Sequence, residues 1–100
     1  MDNTKLNPVH PSEILLEEFL QPFNLTEERL AEDINISVST INNIIQQKQP
    51  ITPEIALRLS KYLGLSERFW LNLQVHYDLE IAKDALKNCL DTEVKTLLID

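Results

Sequence analysis

Ser39, Thr40, Asn42, Asn43 and Gln46 lie close together in the segment NISVSTINNIIQQKQ, residues 35–49, whose one charged side chain is Lys48. Carboxamides and hydroxyls in such a row exchange directional hydrogen bonds. Asn and Gln offer a donor and an acceptor that match N6 and N7 of adenine, and Ser or Thr can serve several base edges. An uncharged polar row therefore suits reading a nucleic-acid sequence rather than merely attracting phosphate. The plainer alternative is an ordinary solvated helix surface.

Constellations for catalysis are not visible elsewhere. The chain shows no glycine loop, Ser–His pair or paired buried carboxylate, so no enzyme is expected. His10 and His76 lack a second ligand at metal spacing; Tyr77 beside His76 suggests ring packing instead, and neither metal nor cofactor is expected. Cys89, the lone cysteine, reads as a small helix residue rather than a nucleophile.

One hundred residues, 43% hydrophobic and 25% charged, describe one domain with one core, for which a partner subunit would be a help. No apolar run approaches the roughly 18 residues of a membrane span, and the start lacks a charged-then-apolar leader pattern. A cytoplasmic protein with no membrane partner is expected, and an unpaired cysteine fits a reducing compartment. The net charge of -7 is unevenly spread. Residues 1–34 set eight carboxylates against Lys5 and Arg29, whereas residues 35–64 set Lys48, Arg58 and Lys61 against Glu54 alone. Only that middle third would not repel a polyanion.

The polar row must be held by helices, because no segment alternates as a strand does. One start signal recurs: an apolar residue, a Ser or Thr to cap free backbone N–H groups, and an apolar residue four beyond the cap to staple back. Leu25-Thr26 with Leu30, Ile36-Ser37 with Ile41, Ile51-Thr52 with Ala56 and Leu65-Ser66 with Trp70 all carry it. A first helix starts near Pro11 or Ser12 and ends at Pro22, with Ile14, Leu15 and Phe19 inward. Another runs from Pro53 to the stop at Gly64, carrying Ile55, Leu59 and Tyr62 or Leu63. From Ser66 a further helix carries Phe69, Trp70, Leu73 and Tyr77, with a register that continues to Ala82, Leu86 and Leu90; residues 92–100 fit a short helix or an edge strand. The class is all-α, about five helices in a core over residues 10–79, with a C-terminal extension over residues 80–100.

On a helical wheel Val38, Ile41, Ile44 and Ile45 share one side, while Ser39, Asn43 and Gln46 share the other, flanked by Thr40 and Asn42. The preceding segment TEERLAEDI buries Leu30, Ala31 and Ile34 and turns through Asn35, a residue that tolerates the left-handed backbone of a tight corner. Small Ala31 lets the two helices approach. This is the layout of a helix-turn-helix, whose second helix enters a DNA major groove.

The segments HPSEILLEEFL, LTEERLAEDINISVSTINNIIQQK and ITPEIALRLSKYLGLSERFWLNLQVHYDL resemble the HigA-type antitoxins, a branch of the Xre/Cro helix-turn-helix family that includes proteins called virulence-associated protein I. The fold implied is lambda-repressor-like. The function implied is a homodimer that represses its own operon at a palindromic double-stranded operator and silences a RelE-like, mRNA-cleaving toxin. A stand-alone regulator without a toxin, or an acidic protein-interaction module that binds no DNA, are the other readings of the same residues. Ser12, Asn24, Asn35 and Gln47 stand where that family tends to have glycine.

Expected base contacts are Ser39, Thr40, Asn42, Asn43 and Gln46, with Val38 either meeting a thymine methyl or partly buried. Expected phosphate contacts are Thr26, Ser37, Gln47 and Lys48, through side chains and helix N-terminal N–H groups. Glu17, Glu18, Glu27 and Glu28 would face a basic toxin or simply solubilise the surface. Arg58 is expected to pair with Glu54 on one helix face.

Overall fold

The computed structural model describes residues 8–99 and is all-helical, with no strand among them. Helix α1 (Pro11–Ile14) continues unbroken into a π-helical segment, Leu15–Leu20, whose hydrogen bonds reach five residues back, as from Gln21 N–H to the Leu16 carbonyl at 2.9 Å. There follow α2 (Glu27–Ile34), α3 (Val38–Ile45), α4 (Pro53–Leu63), α5 (Phe69–Leu86) and the single turn α6 (Leu90–Glu93). None of these helices is long and apolar enough to cross a membrane. The wider π turn brings Leu20 into the core beside Leu15, and leaves Ile14 and Phe19, expected inside, half buried.

Three of the four start signals work as read. Thr26 accepts from Arg29 N–H at 3.0 Å, Ser37 from Thr40 N–H at 3.2 Å and Thr52 from Ile55 N–H at 3.4 Å. The fourth does not: α5 begins at Phe69 with Arg68 as an uncapped boundary, and Ser66 contributes its carbonyl to a turn closed by Phe69 N–H at 3.1 Å. His10, not a hydroxyl, opens α1, its Nδ1 accepting from Ser12 N–H at 3.0 Å. The helix ends share one device. Asn24, Asn35, Gln47 and Gly64 take φ of 52°, 60°, 62° and 72°, and the residue after each donates backward, as Leu25 to Leu20, Ile36 to Ala31, Lys48 to Asn43 and Leu65 to Ser60. That left-handed stop satisfies carbonyls that a helix end would otherwise strand.

The core gathers Leu15, Leu30, Ile41, Ile44, Leu59 and Trp70, all fully buried, with Ala31 at the α2–α3 crossing. Trp70 lies against Phe69 edge-on at 4.9 Å and against Phe19 at 5.6 Å. Tyr62, one of two alternatives for the inward position, faces out instead and donates to Asp33 at 2.5 Å, while Leu63 is half buried. Beyond Tyr77 the register runs on only to Leu86, where α5 ends, and the burial does not continue: Ala82, Leu86 and, on α6, Leu90 are all exposed, and residues 94–99 form neither helix nor strand. The second half of α5 therefore leaves the core as a lever, and the radius of gyration, 17.3 Å, exceeds the roughly 13 Å of a compact chain this long.

His10 is a titrating cap. Its ring is buried and sits edge-on to Tyr77 at 4.8 Å, so Tyr77 packs on His10 rather than on exposed His76. Burial holds its pKa below the ordinary 6.5, against the opposing pull of Glu13 and Asp78. The unfolded chain then takes up a proton before the folded one does, so this contribution is complete above pH 6.5 and is lost as pH falls through the lowered folded value. Thermal melts from pH 7.5 down to pH 5 are expected to show a decline that His10→Asn, which keeps a capping oxygen without titrating, reduces. Equal declines in both proteins would remove His10 as the cause.

Candidate nucleic-acid interface

Helices α2 and α3 meet through Asn35, whose N–H donates to the Glu32 carbonyl at 3.3 Å while Ile36 N–H returns to Ala31 at 3.0 Å. The corner is braced from α4. Arg58 donates through Nη1 to the Ile34 carbonyl at 2.9 Å and pairs with Glu54 at 3.0 Å, so the expected ion pair is present and its guanidinium also holds the end of α2. Asp33, two residues before the corner, accepts from Tyr62 and from Arg29 at 2.7 Å, and these two bonds hold its carboxyl below the ordinary carboxylate value.

With α2 fixed, Ile41 and Ile44 are fully buried and Ile45 half buried, which sets the rotation of α3. Ser39 and Gln46 are exposed; Thr40, Asn42 and Asn43 are half buried. Val38, which the wheel grouped with the packing isoleucines, is 39% exposed at the first position of α3, so it is only partly covered. Ser37 and Thr40 are coupled, the Ser37 hydroxyl donating to Thr40 Oγ1 at 2.9 Å. Thr26, Ser37, Gln47 and Lys48 are exposed, the first two at the starts of α2 and α3 and the others just past the end of α3. Glu17, Glu18 and Glu28 are exposed and Glu27 is half buried, on the π-helical segment and on the first turn of α2.

Gln47 takes φ 62°, where a side chain with a Cβ is strained by about 1–2 kcal/mol. Gln47→Gly is expected to raise the free energy of unfolding by about 0.5–1 kcal/mol, the relief being partly offset by glycine's larger unfolded-state entropy. Urea titration measures it, and an unchanged midpoint would mean the strain is already relieved.

One partner escaped sequence reasoning. Asn43 Nδ2 donates to Oε1 of Gln49 at 3.3 Å, a contact that helical spacing cannot show because it spans the left-handed turn at Gln47. The available signal was Gln47 itself, a non-glycine residue where the chain must reverse.

A capped helix pair, a left-handed corner, a cross-brace and a second helix with a polar open side define a helix-turn-helix protein. The profile of the HTH_3 family, described as Helix-turn-helix, matches residues 16–70, and the chain belongs to this Xre-type family. It is 44% identical over 75 residues to virulence-associated protein I of Dichelobacter nodosus, covering 75% of this chain and 69% of that one. It is 38% identical over 79 residues to antitoxin HigA-1 of Vibrio cholerae, covering 79% and 74%. Among solved structures it is similar to the Pseudomonas aeruginosa antitoxin HigA with the higBA promoter, with a TM-score of 0.87 and 37% identity over 91% of this chain and 99% of that one. The resemblance to HigA-type antitoxins read from residues 10–79 is borne out.

Proposed function

We propose that this chain is a DNA-binding antitoxin: a homodimer that represses its own operon at a palindromic operator and neutralises a RelE-like, HigB-type mRNA-cleaving toxin. The observation that carries the reading is the rotation of α3, with Ile41 and Ile44 sealed inside while Ser39, Thr40, Asn42, Asn43 and Gln46 keep access to solvent as base-reading candidates. Thr26, Ser37, Gln47 and Lys48 flank them as phosphate contacts. The solved HigA with its promoter supports the DNA half.

Self-association is supported by an uncovered apolar stripe on α5 at helical spacing, Val75, Leu79 and Leu86, which a second copy would cover. Two α3 helices about 34 Å apart would then enter successive major grooves on one face of the duplex. For the toxin, exposed Glu17, Glu18 and Glu28 with half-buried Glu27 supply the charge that a cationic ribonuclease would meet.

Two measurements test this. Gel-shift titration with the protein's own promoter is expected to give a saturable complex that an unrelated duplex of equal length does not compete away. Co-expression with the adjacent open reading frame is expected to yield a complex that Glu17→Lys with Glu18→Lys loosens as salt is varied. No promoter shift would refute the DNA half; a shift without any co-purifying partner would leave a stand-alone regulator.

A further inference from the structure

Asn43 and Gln49 lie on either side of the chain reversal, yet their carboxamides meet. Lys48 N–H donates to the Asn43 carbonyl at 2.7 Å and Gln47 N–H to the Ile44 carbonyl at 2.9 Å, which folds the residues after α3 back over its last turn. The loop is also fastened from behind. Ile51 N–H donates to Oε1 of buried Gln74 on α5 at 2.8 Å, and Gln74 Nε2 donates in turn to Asp78 at 3.0 Å. Gln49 therefore sits on an anchored loop.

The consequence falls on the orientation of one amide. An unrestrained Asn side chain can present either its oxygen or its nitrogen to a given direction. Gln49 turns Oε1, an acceptor, towards Asn43, and against that oxygen Asn43 places Nδ2 towards the loop and uses one of its two N–H groups. Oδ1 and the second N–H have no side-chain partner among the described residues, and they form the acceptor and donor pair that N6 and N7 of adenine require. We propose that Gln49 is a positioning residue that presets the Asn43 amide for adenine and so determines base preference at one position of the duplex. This rests on α3 being the base-reading helix, as proposed above. Presetting also removes part of the cost of ordering the side chain on binding.

The probe is a duplex enriched by the wild-type protein from a pool randomised at its centre, together with all its single base-pair variants. Fluorescence anisotropy compares wild type, Gln49→Ala, Gln49→Glu, Asn43→Ala and the Asn43→Ala/Gln49→Ala double variant. Asn43→Ala is expected to lose about tenfold discrimination at one base pair. Gln49→Ala should lose about threefold at that same base pair, and the double variant should match Asn43→Ala. Gln49→Glu keeps the acceptor oxygen, so it should retain the preference while weakening every duplex alike. Wild-type discrimination in Gln49→Ala, a loss at a different base pair, or additive losses in the double variant would overturn the proposal. If the wild type enriches no sequence, base reading by α3 falls and this inference with it; enrichment with an unaltered Gln49→Ala profile removes Gln49's role alone.

Discussion

Trp70→Ala is expected to lower the free energy of unfolding by about 3–5 kcal/mol, a large share of the roughly 5–15 kcal/mol that holds a folded domain together. Trp70 is fully buried at the start of α5, in ring contact with Phe19 and Phe69, so it joins the π-helical segment to α5 around one side chain. Removing it opens a cavity between elements far apart in sequence. Trp70→Phe should cost less than half as much, since its ring keeps most of the packing and the indole N–H has no partner among the described residues. Chemical denaturation followed by circular dichroism separates the two. Equal losses would mean that the indole's second ring, not the shared aromatic packing, carries the contact.

Asn43→Ala is expected to abolish preference at a single operator base pair, about 1–3 kcal/mol, while binding to non-specific duplex is retained. The rotation of α3 gives the reason: Asn43 is half buried next to sealed Ile44 and donates to Gln49 across the loop, so its amide is held on the open side. Lys48→Ala should act oppositely, weakening all duplexes together and lowering the slope of log K against log salt by about one. The comparison is made on a base-substituted operator panel at two salt concentrations. An unchanged profile for Asn43→Ala would remove it from the reading helix.

These expectations divide along what local chemistry can specify. Thr26, Ser37 and Thr52 were legible as caps because a hydroxyl, a backbone N–H and a stapling pair all lie within five residues. Asn35 and Gly64 were legible as stops for a similar reason: a left-handed backbone limits the choice of side chain. Ser66 carried the same signature but failed, since Leu65 and Trp70 can both pack with α5 starting two residues late at Phe69. The π turn was not legible, because Leu20, which the five-back ladder turns inward, is as apolar as the Phe19 that an α ladder would favour, so residue type fits either ladder. Nor was the exposure of Leu86 and Leu90, because helical register says which side is apolar and not whether anything lies against it. On α3 the wheel placed Ile41 and Ile44 inside, as they are found, while Val38 stayed open between a thymine contact and partial burial; it is 39% exposed at the first position of the helix.

The packing of α2 on α3, and of α4 on α5, joins segments that are also next to one another along the chain. Such neighbours need only short loops closed before contact is rewarded, so the entropic barrier to assembly is small and the pairs can zip in the microsecond-to-millisecond range. A molecule built this way recovers its shape quickly after each thermal excursion, and its exposure to proteolysis is governed by how often it opens rather than by how slowly it recloses.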